Sequence, residues 1–125
     1  MMGWHISVFR QTEGRSTPAN RDADEGPRLA VWQTGVYGLQ WLDELAEAGN
    51  AIDLGGGGYP SYYTAQAEHL ISTVVAGPPL AKQTWTVGEH DIIMPNWEGK
   101  TVIDRAVADD CRPDEWLIVV AWDES

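Results

Sequence analysis

Residues 115–122, Glu-Trp-Leu-Ile-Val-Val-Ala-Trp, constrain the fold more than any other stretch of the chain. After Glu115 the run is apolar without interruption. A strand with no polar alternation has no face to give to water, so this run predicts a central strand covered on both sides. The turn sequence Arg112-Pro113-Asp114 leads into it.

A central strand needs neighbours, and the chain supplies candidates. In residues 4–11, Trp4, Ile6 and Val8 alternate with His5, Ser7 and Phe9. That alternation predicts a strand and turns His5 away from the Ile6/Val8 face. Residues 28–34 read as a second strand, broken by Gly35. Between them, residues 12–27 are polar and contain Gly14, Pro18, Gly26 and Pro27, which predicts a mobile loop or a lid. Residues 82–87 form another strand candidate, and Ala51 to Leu54 a short extended piece.

Helical spacing appears in two longer segments. Residues 37–48 place Leu39, Leu42, Leu45 and Ala46 at core positions, with Trp41 and Ala48 extending the stripe and Gly49-Asn50 as the stop. Residues 62–76 place Tyr63, Ala67, Leu70, Ile71 and Val74 on one side and end at Gly77-Pro78-Pro79. Thr101 and Asp104 have the spacing of a capping box, which predicts a short helix reaching about Ala108. Together these elements predict one α+β domain over residues 1–125. Its sheet is mixed or mostly antiparallel, of about four to five strands, with about two to three helices packed on it.

The most unusual local composition is Asp53-Leu54-Gly55-Gly56-Gly57-Gly58-Tyr59-Pro60. Glycines let the backbone take positive φ and approach another surface closely. Pro60 suits a first helical turn, and Ser61 or Thr64 a cap, so the run reads as a loop feeding a helix N-terminus. Such a loop can cradle an anion. The charges oppose a phosphate, because no Lys or Arg occurs between Arg28 and Lys82. Neither a P-loop ending nor the dinucleotide fingerprint is present. Two readings stand: a tight backbone corner, or a ligand-lining loop walled by Tyr59, Tyr62 and Tyr63.

Net charge is −11, from 8 Lys+Arg against 19 Asp+Glu. Unassisted nucleic-acid binding is excluded on this balance, since phosphate contacts need clustered cations. A cationic small molecule or a basic protein is the natural partner. Asp43, Glu44 and Glu47 concentrate acid on one side of the first helix, with no basic residue to relieve it. Seven Trp outnumber the four Tyr and one Phe. Acid beside aromatic surface is the composition of a cation site, although core filling accounts for most Trp in a domain of this size.

Catalytic signals are weak. His90 beside Asp91 reads as a turn pair, because adjacent residues seldom orient each other. No nucleophile motif accompanies it. Glu68 and His69 are adjacent on a helix and point in different directions, so they cannot share a metal. Neither helix carries a His pair at metal spacing, and no cofactor is implied. Cys111 is the single cysteine, which forbids an internal disulfide and fits a reducing cytoplasm. No stretch has the apolar length of a membrane span.

The segments Trp4-His5-Ile6-Ser7-Val8-Phe9-Arg10-Gln11, Leu29-Ala30-Val31-Trp32-Gln33-Thr34-Gly35, Ala51-Ile52-Asp53-Leu54-Gly55-Gly56 and Asp114-Glu115-Trp116-Leu117-Ile118-Val119 together resemble small bacterial accessory proteins of the mobile integron gene-cassette kind. The resemblance implies a stand-alone cytoplasmic bacterial protein. It brings no activity and no catalytic residues.

The expectation is therefore a small acidic, Trp-rich binding protein, with a cationic or aromatic ligand or a basic partner. Its candidate ligand residues are Gly56, Gly57, Tyr59, Tyr62, His5, His69 and Trp97, the last being the Trp expected to be most exposed. Its candidate partner residues are Asp43, Glu44 and Glu47. Two alternatives stand beside it. One is a small enzyme with a His base, His5, His69 or His90, between the Gly55–Gly58 loop and the 12–27 loop. The other is a self-associating structural protein.

Overall fold

The computed structural model describes residues 3–22, 24–34, 37–56, 60–76 and 102–123. These form an α+β domain with one antiparallel sheet. In chain order the elements are β1 (Trp4–Gln11), β2 (Glu25–Thr34), α1 (Gln40–Glu47), β3 (Ala51–Gly55), β4 (Ser61–Gln66), α2 (Ala67–Val75), β5 (Val102–Ile103), α3 (Arg105–Asp110) and β6 (Trp116–Asp123). The sheet has 6 strands in the order β3-β4-β6-β1-β2-β5, more than the four or five expected. The candidate strand at 82–87 lies outside the described residues, so the added strands are β4 and the two-residue β5. No helix among the described residues is long and apolar enough to cross a membrane.

The apolar run of β6 lies where its composition demands, between β4 and β1. Leu117, Val119 and Ala121 join the main core with Ile6, Val8 and Trp32. Helices cover that face: Leu42 from α1, Leu70 and Val74 from α2 and Ala108 from α3 all belong to the same cluster. The alternate residues Ile118 and Val120 face the other way. They are only 2% and 5% exposed, in a second cluster with Ala19, Phe9 and Tyr62. Thus β6 is covered on both sides, by helices on one and by part of the 12–24 loop on the other.

That loop is fastened between Gly14 and Ala19. Thr17 N–H donates to Gly14 O, and the Arg15 carbonyl accepts from Trp116 N–H at 2.7 Å. The Gln11 side-chain amide donates to Thr17 O and Trp116 O. Ala19 N–H donates to the Thr64 hydroxyl, which itself donates to Leu117 O. The second strand begins at Glu25 rather than Arg28. Gly26 and Pro27 act as a bulge, not as breakers. Gln11 pairs with Glu25 and Phe9 with Arg28, so Gly26 and Pro27 together oppose Arg10. A bulge accepts a proline without losing a ladder bond. A β-carbon at Gly26 would stand 2.8 Å from the Arg10 carbonyl oxygen, and glycine removes that clash.

The region around Pro60 corrects the expected second helix. Residues 61–66 are a strand, and the helix starts only at Ala67. Tyr62, Tyr63 and Thr64 are aromatic and β-branched, suited to a pleated surface. Their pairing with Val120, Val119 and Ile118 outweighs a local helix start at Pro60. Tyr63 is buried as expected, but from a strand. The glycine run therefore falls between the antiparallel strands β3 and β4 and does not feed a helix. Helix α2 needs no side-chain cap, because Ala67 and Glu68 N–H donate to Glu115 O and Pro113 O just before β6.

The other helix ends follow from local chemistry. Gly49, at φ +84°, closes α1: its N–H donates to Ala46 O, and Asn50 N–H donates to Leu45 O. These are the paired bonds of a Schellman stop. Ala48, expected on the apolar stripe, is instead the exposed cap residue. At α3 the cap is Asp104 itself, accepting from Val107 N–H at 3.2 Å, and the helix runs to Asp110. The expected cap, Thr101, lies outside the described residues, and Val102 and Ile103 are strand.

Two tryptophans meet in the core. Trp32 and Trp41 pack as a tilted pair with ring centroids 6.3 Å apart. The indole N–H of each is buried without a hydrogen-bond partner among the described residues. Each such donor forfeits its bond to water, an uncommon defect in a native core.

Candidate functional site

The antiparallel sheet has two ends with different chemistry. At one end β1 and β4 begin while β2, β3 and β6 finish, so the glycine hairpin lies there. At the other end β1 and β4 finish, β2 and β6 begin, and the 12–24 loop is attached.

The hairpin end carries several of the expected ligand residues. His5 pairs across the sheet with Trp122, and Tyr62 pairs with Val120. By strand alternation His5, Trp122 and Tyr62 share the face opposite the helices. Directly opposed side chains on a sheet lie about 5 Å apart, and diagonal aromatic neighbours reach each other. Trp122 is 47% exposed, the most exposed Trp among the described residues, while His5 and Tyr62 are half-buried. Trp122 had not been singled out by sequence reasoning. Its signal was position: it ends an apolar strand on the parity of Ile118 and Val120, beyond the reach of the 12–24 loop.

The remaining expectations separate from this cluster. Gly56, at φ +118°, turns the hairpin, and a β-carbon there would fall on the Pro60 carbonyl oxygen. Asp53 stabilises the same turn by accepting from Gly55 N–H at 2.8 Å. His69 sits on α2, which packs on the opposite face, so it does not join His5. Gly57, Tyr59, Trp97 and His90 lie outside the described residues. The hairpin and the 12–24 loop are rooted at opposite ends of the sheet, and the loop residue Ala19 packs with Tyr62, the partner of Gly55. Neither His5 nor His69 bonds a carboxylate among the described residues. Asp, Glu, His and Cys form no group fit to hold a metal among the described residues.

On α1, Asp43, Glu44 and Glu47 are all exposed. Asp43 is engaged: its carboxylate accepts from the Tyr63 hydroxyl at 2.9 Å. Burial, and then this bond to a carboxylate, push the Tyr63 phenol well above its ordinary range. Glu44 and Glu47 form no ion pair or hydrogen bond among the described residues.

Sequence reasoning missed the opposite end. Arg10 extends from β1 on the helix-covered face and binds Glu115 with two parallel bonds. Nε donates to Oε2 at 2.8 Å and Nη2 to Oε1 at 2.9 Å. Its Nη1 donates to Asp110 Oδ2 at 2.6 Å. The Arg10 and Glu115 side chains are 9% and 3% exposed. The Glu115 bond raises the Arg10 pKa further, against the opposing pull of burial. The signal was present as parity. Arg10 follows Ile6 and Val8 on their face, and Glu115 precedes Leu117 and Val119 on theirs. In neighbouring strands those two faces coincide. Cys111 lies beside the network with its thiol donating to Val107 O. Burial, then the Glu115 charge, push that thiol up to about 11, so it is no nucleophile at neutral pH.

No family model, curated protein or solved structure matches this chain.

Proposed function

We propose that the protein binds a small, flat cationic ligand on the aromatic surface formed by Trp122, His5 and Tyr62. The observation that carries this reading is the exposed Trp122 indole on the sheet face that no described helix covers, directly across from His5. Charge supports it. The charge is that of the whole chain, −11; the strand acids at this end, Asp53 and Asp123, pair with Tyr63 and Trp4 and so lie on the helix-covered face. A cation held over a Trp face gains about 0.5–2 kcal/mol, more as it is desolvated. Neither described His is oriented by a carboxylate, which favours binding over His-based catalysis.

The test is a titration of the protein into a fluorescent N-methylacridinium dye, read by dye anisotropy, beside a neutral and an anionic dye of the same size. Saturable binding of the cationic dye, lost in Trp122→Ala and retained in Trp116→Phe, is the expected outcome. Equal binding of the anionic dye, or full binding by Trp122→Ala, would refute the reading.

A further inference from the structure

At the opposite end of the sheet lies a cavity of about 330 Å³, within the size range of small-molecule sites. Its walls carry three arginines, Arg10, Arg15 and Arg112, and three carboxylates, Asp110, Asp114 and Glu115. The charges balance by count, but they are unequally committed. Every nitrogen of the Arg10 guanidinium already donates to Glu115 or Asp110. Arg112 stands 3.6 Å from Asp114 in a loose, exposed pair.

Arg15 differs from both. Its carbonyl is tied to Trp116 N–H at 2.7 Å, and its Nε donates to the Gln11 carbonyl at 2.6 Å. Backbone and guanidinium are both anchored. The nearest carboxylate oxygen, Glu115 Oε2, is 4.0 Å from Nε and already accepts from Arg10. The two terminal nitrogens of Arg15 carry no hydrogen bond among the described residues, and neither does the neighbouring Ser16 hydroxyl. An immobilised guanidinium fork with open donors matches a planar carboxylate, and its anchoring has already met part of the ordering cost.

The rim adds a second requirement. The Asp110 and Asp114 side chains are 75% and 65% exposed, and both repel a simple anion. A ligand that places a cation beside its carboxylate turns that repulsion into attraction. We propose that this cavity binds a compact zwitterion of the α-amino-acid class. Its carboxylate takes the Arg15 fork and the Ser16 hydroxyl, and its ammonium faces Asp110 and Asp114. The site is separate from the aromatic surface at the hairpin end.

Saturation-transfer NMR and calorimetry with the full chain test it, using pooled free α-amino acids, acetate and methylammonium as probes at up to about 10 mM. One or more amino acids should bind saturably, and acetate and methylammonium at least about tenfold more weakly. Arg15→Gln should weaken that amino acid by about tenfold or more, and Asp114→Asn should narrow its advantage over acetate. Trp122→Ala should leave it unchanged. Melting curves check that each variant folds, and Ser16→Ala is the second variant if Arg15→Gln does not. Absence of saturable amino-acid binding, acetate binding as well as any amino acid, or undiminished binding by folded Arg15→Gln would overturn the proposal.

Discussion

The two ends of the sheet handle charge in opposite ways. At the arginine end, cation and anion are buried together: Arg10 and Glu115 complete each other's hydrogen bonds, and Asp110 closes the set from the end of α3. At the hairpin end, Trp122, His5 and Tyr62 share one face of the sheet, with no Lys or Arg among the described residues there. A buried pair is satisfied internally and is a poor place for a new partner. An exposed indole on a face that no described helix covers is not committed in this way. The difference teaches that, in an acidic chain, the informative charges are the few cations. Arg10 marks where charge is already answered, and Arg15 where it is not.

The comparison breaks most directly at Glu115. Removing it as Glu115→Ala leaves Arg10 buried with only the exposed Asp110, and should destabilise the fold by about 3–5 kcal/mol. Denaturant melts check this. A loss below 1 kcal/mol, about that of an exposed pair, would show that water reaches Arg10. Replacing both partners with apolar residues, Arg10→Met with Glu115→Leu, should recover much of the loss, because the cost lies in the orphaned charge.

Cys111 sharpens the same point. Two arginines nearby would ordinarily activate a thiol, yet burial and Glu115 prevail. Alkylation at pH 8 should run about a hundredfold slower in the folded protein than in denaturant, following the thiolate fraction. The sign for stability follows: folding raises this pKa from 9.0 to about 11. The thiol's contribution is therefore full below pH 9 and fades as pH rises from 9 to 11. A folded-state rate matching the denatured one would contradict the burial.

Val120→Ala probes the sheet between the two ends. Val120 packs with Tyr62 and the loop residue Ala19, and its truncation should cost about 1–3 kcal/mol. An unchanged melt would mean that the loop does not cover this face. The smallest effect is expected on α1. Glu44→Gln with Glu47→Gln removes like-charge repulsion and unfavourable acid near the helix C-terminus, and should stabilise by a few tenths of a kcal/mol, less at high salt. Destabilisation would show that these carboxylates hold contacts beyond the described residues.

Much of this fold was legible as alternation. Ile6 and Val8, the run after Glu115, and Leu42 with Leu45 announced β1, β6 and α1, because burial imposes a period on each. The β4 strand was not legible. Pro60, Ser61 and Thr64 have helix-start chemistry, and only the long-range ladder to β6 decides against it. Gly26-Pro27 likewise read as part of the 12–27 loop until their partner, Arg10, was in place. The site was legible in part: His5 and Tyr62 fall on one face, whereas His69 falls on the other. The Arg10–Glu115 pair spans 105 positions, so no local window contains it.

The tryptophans make the two faces of the sheet optically distinct. Trp32 and Trp41 are held 6.3 Å apart at 36°, close enough for their excited states to couple and give a circular dichroism couplet that only native helix-on-sheet packing sustains. Buried, and with no hydrogen-bond partner for either N–H among the described residues, their indoles should emit at the blue edge and resist quenching by dissolved acrylamide. Trp122, on the far face, should emit to the red and quench readily. One spectrum can therefore follow, without labels, whether the helices stay docked while the opposite surface is occupied.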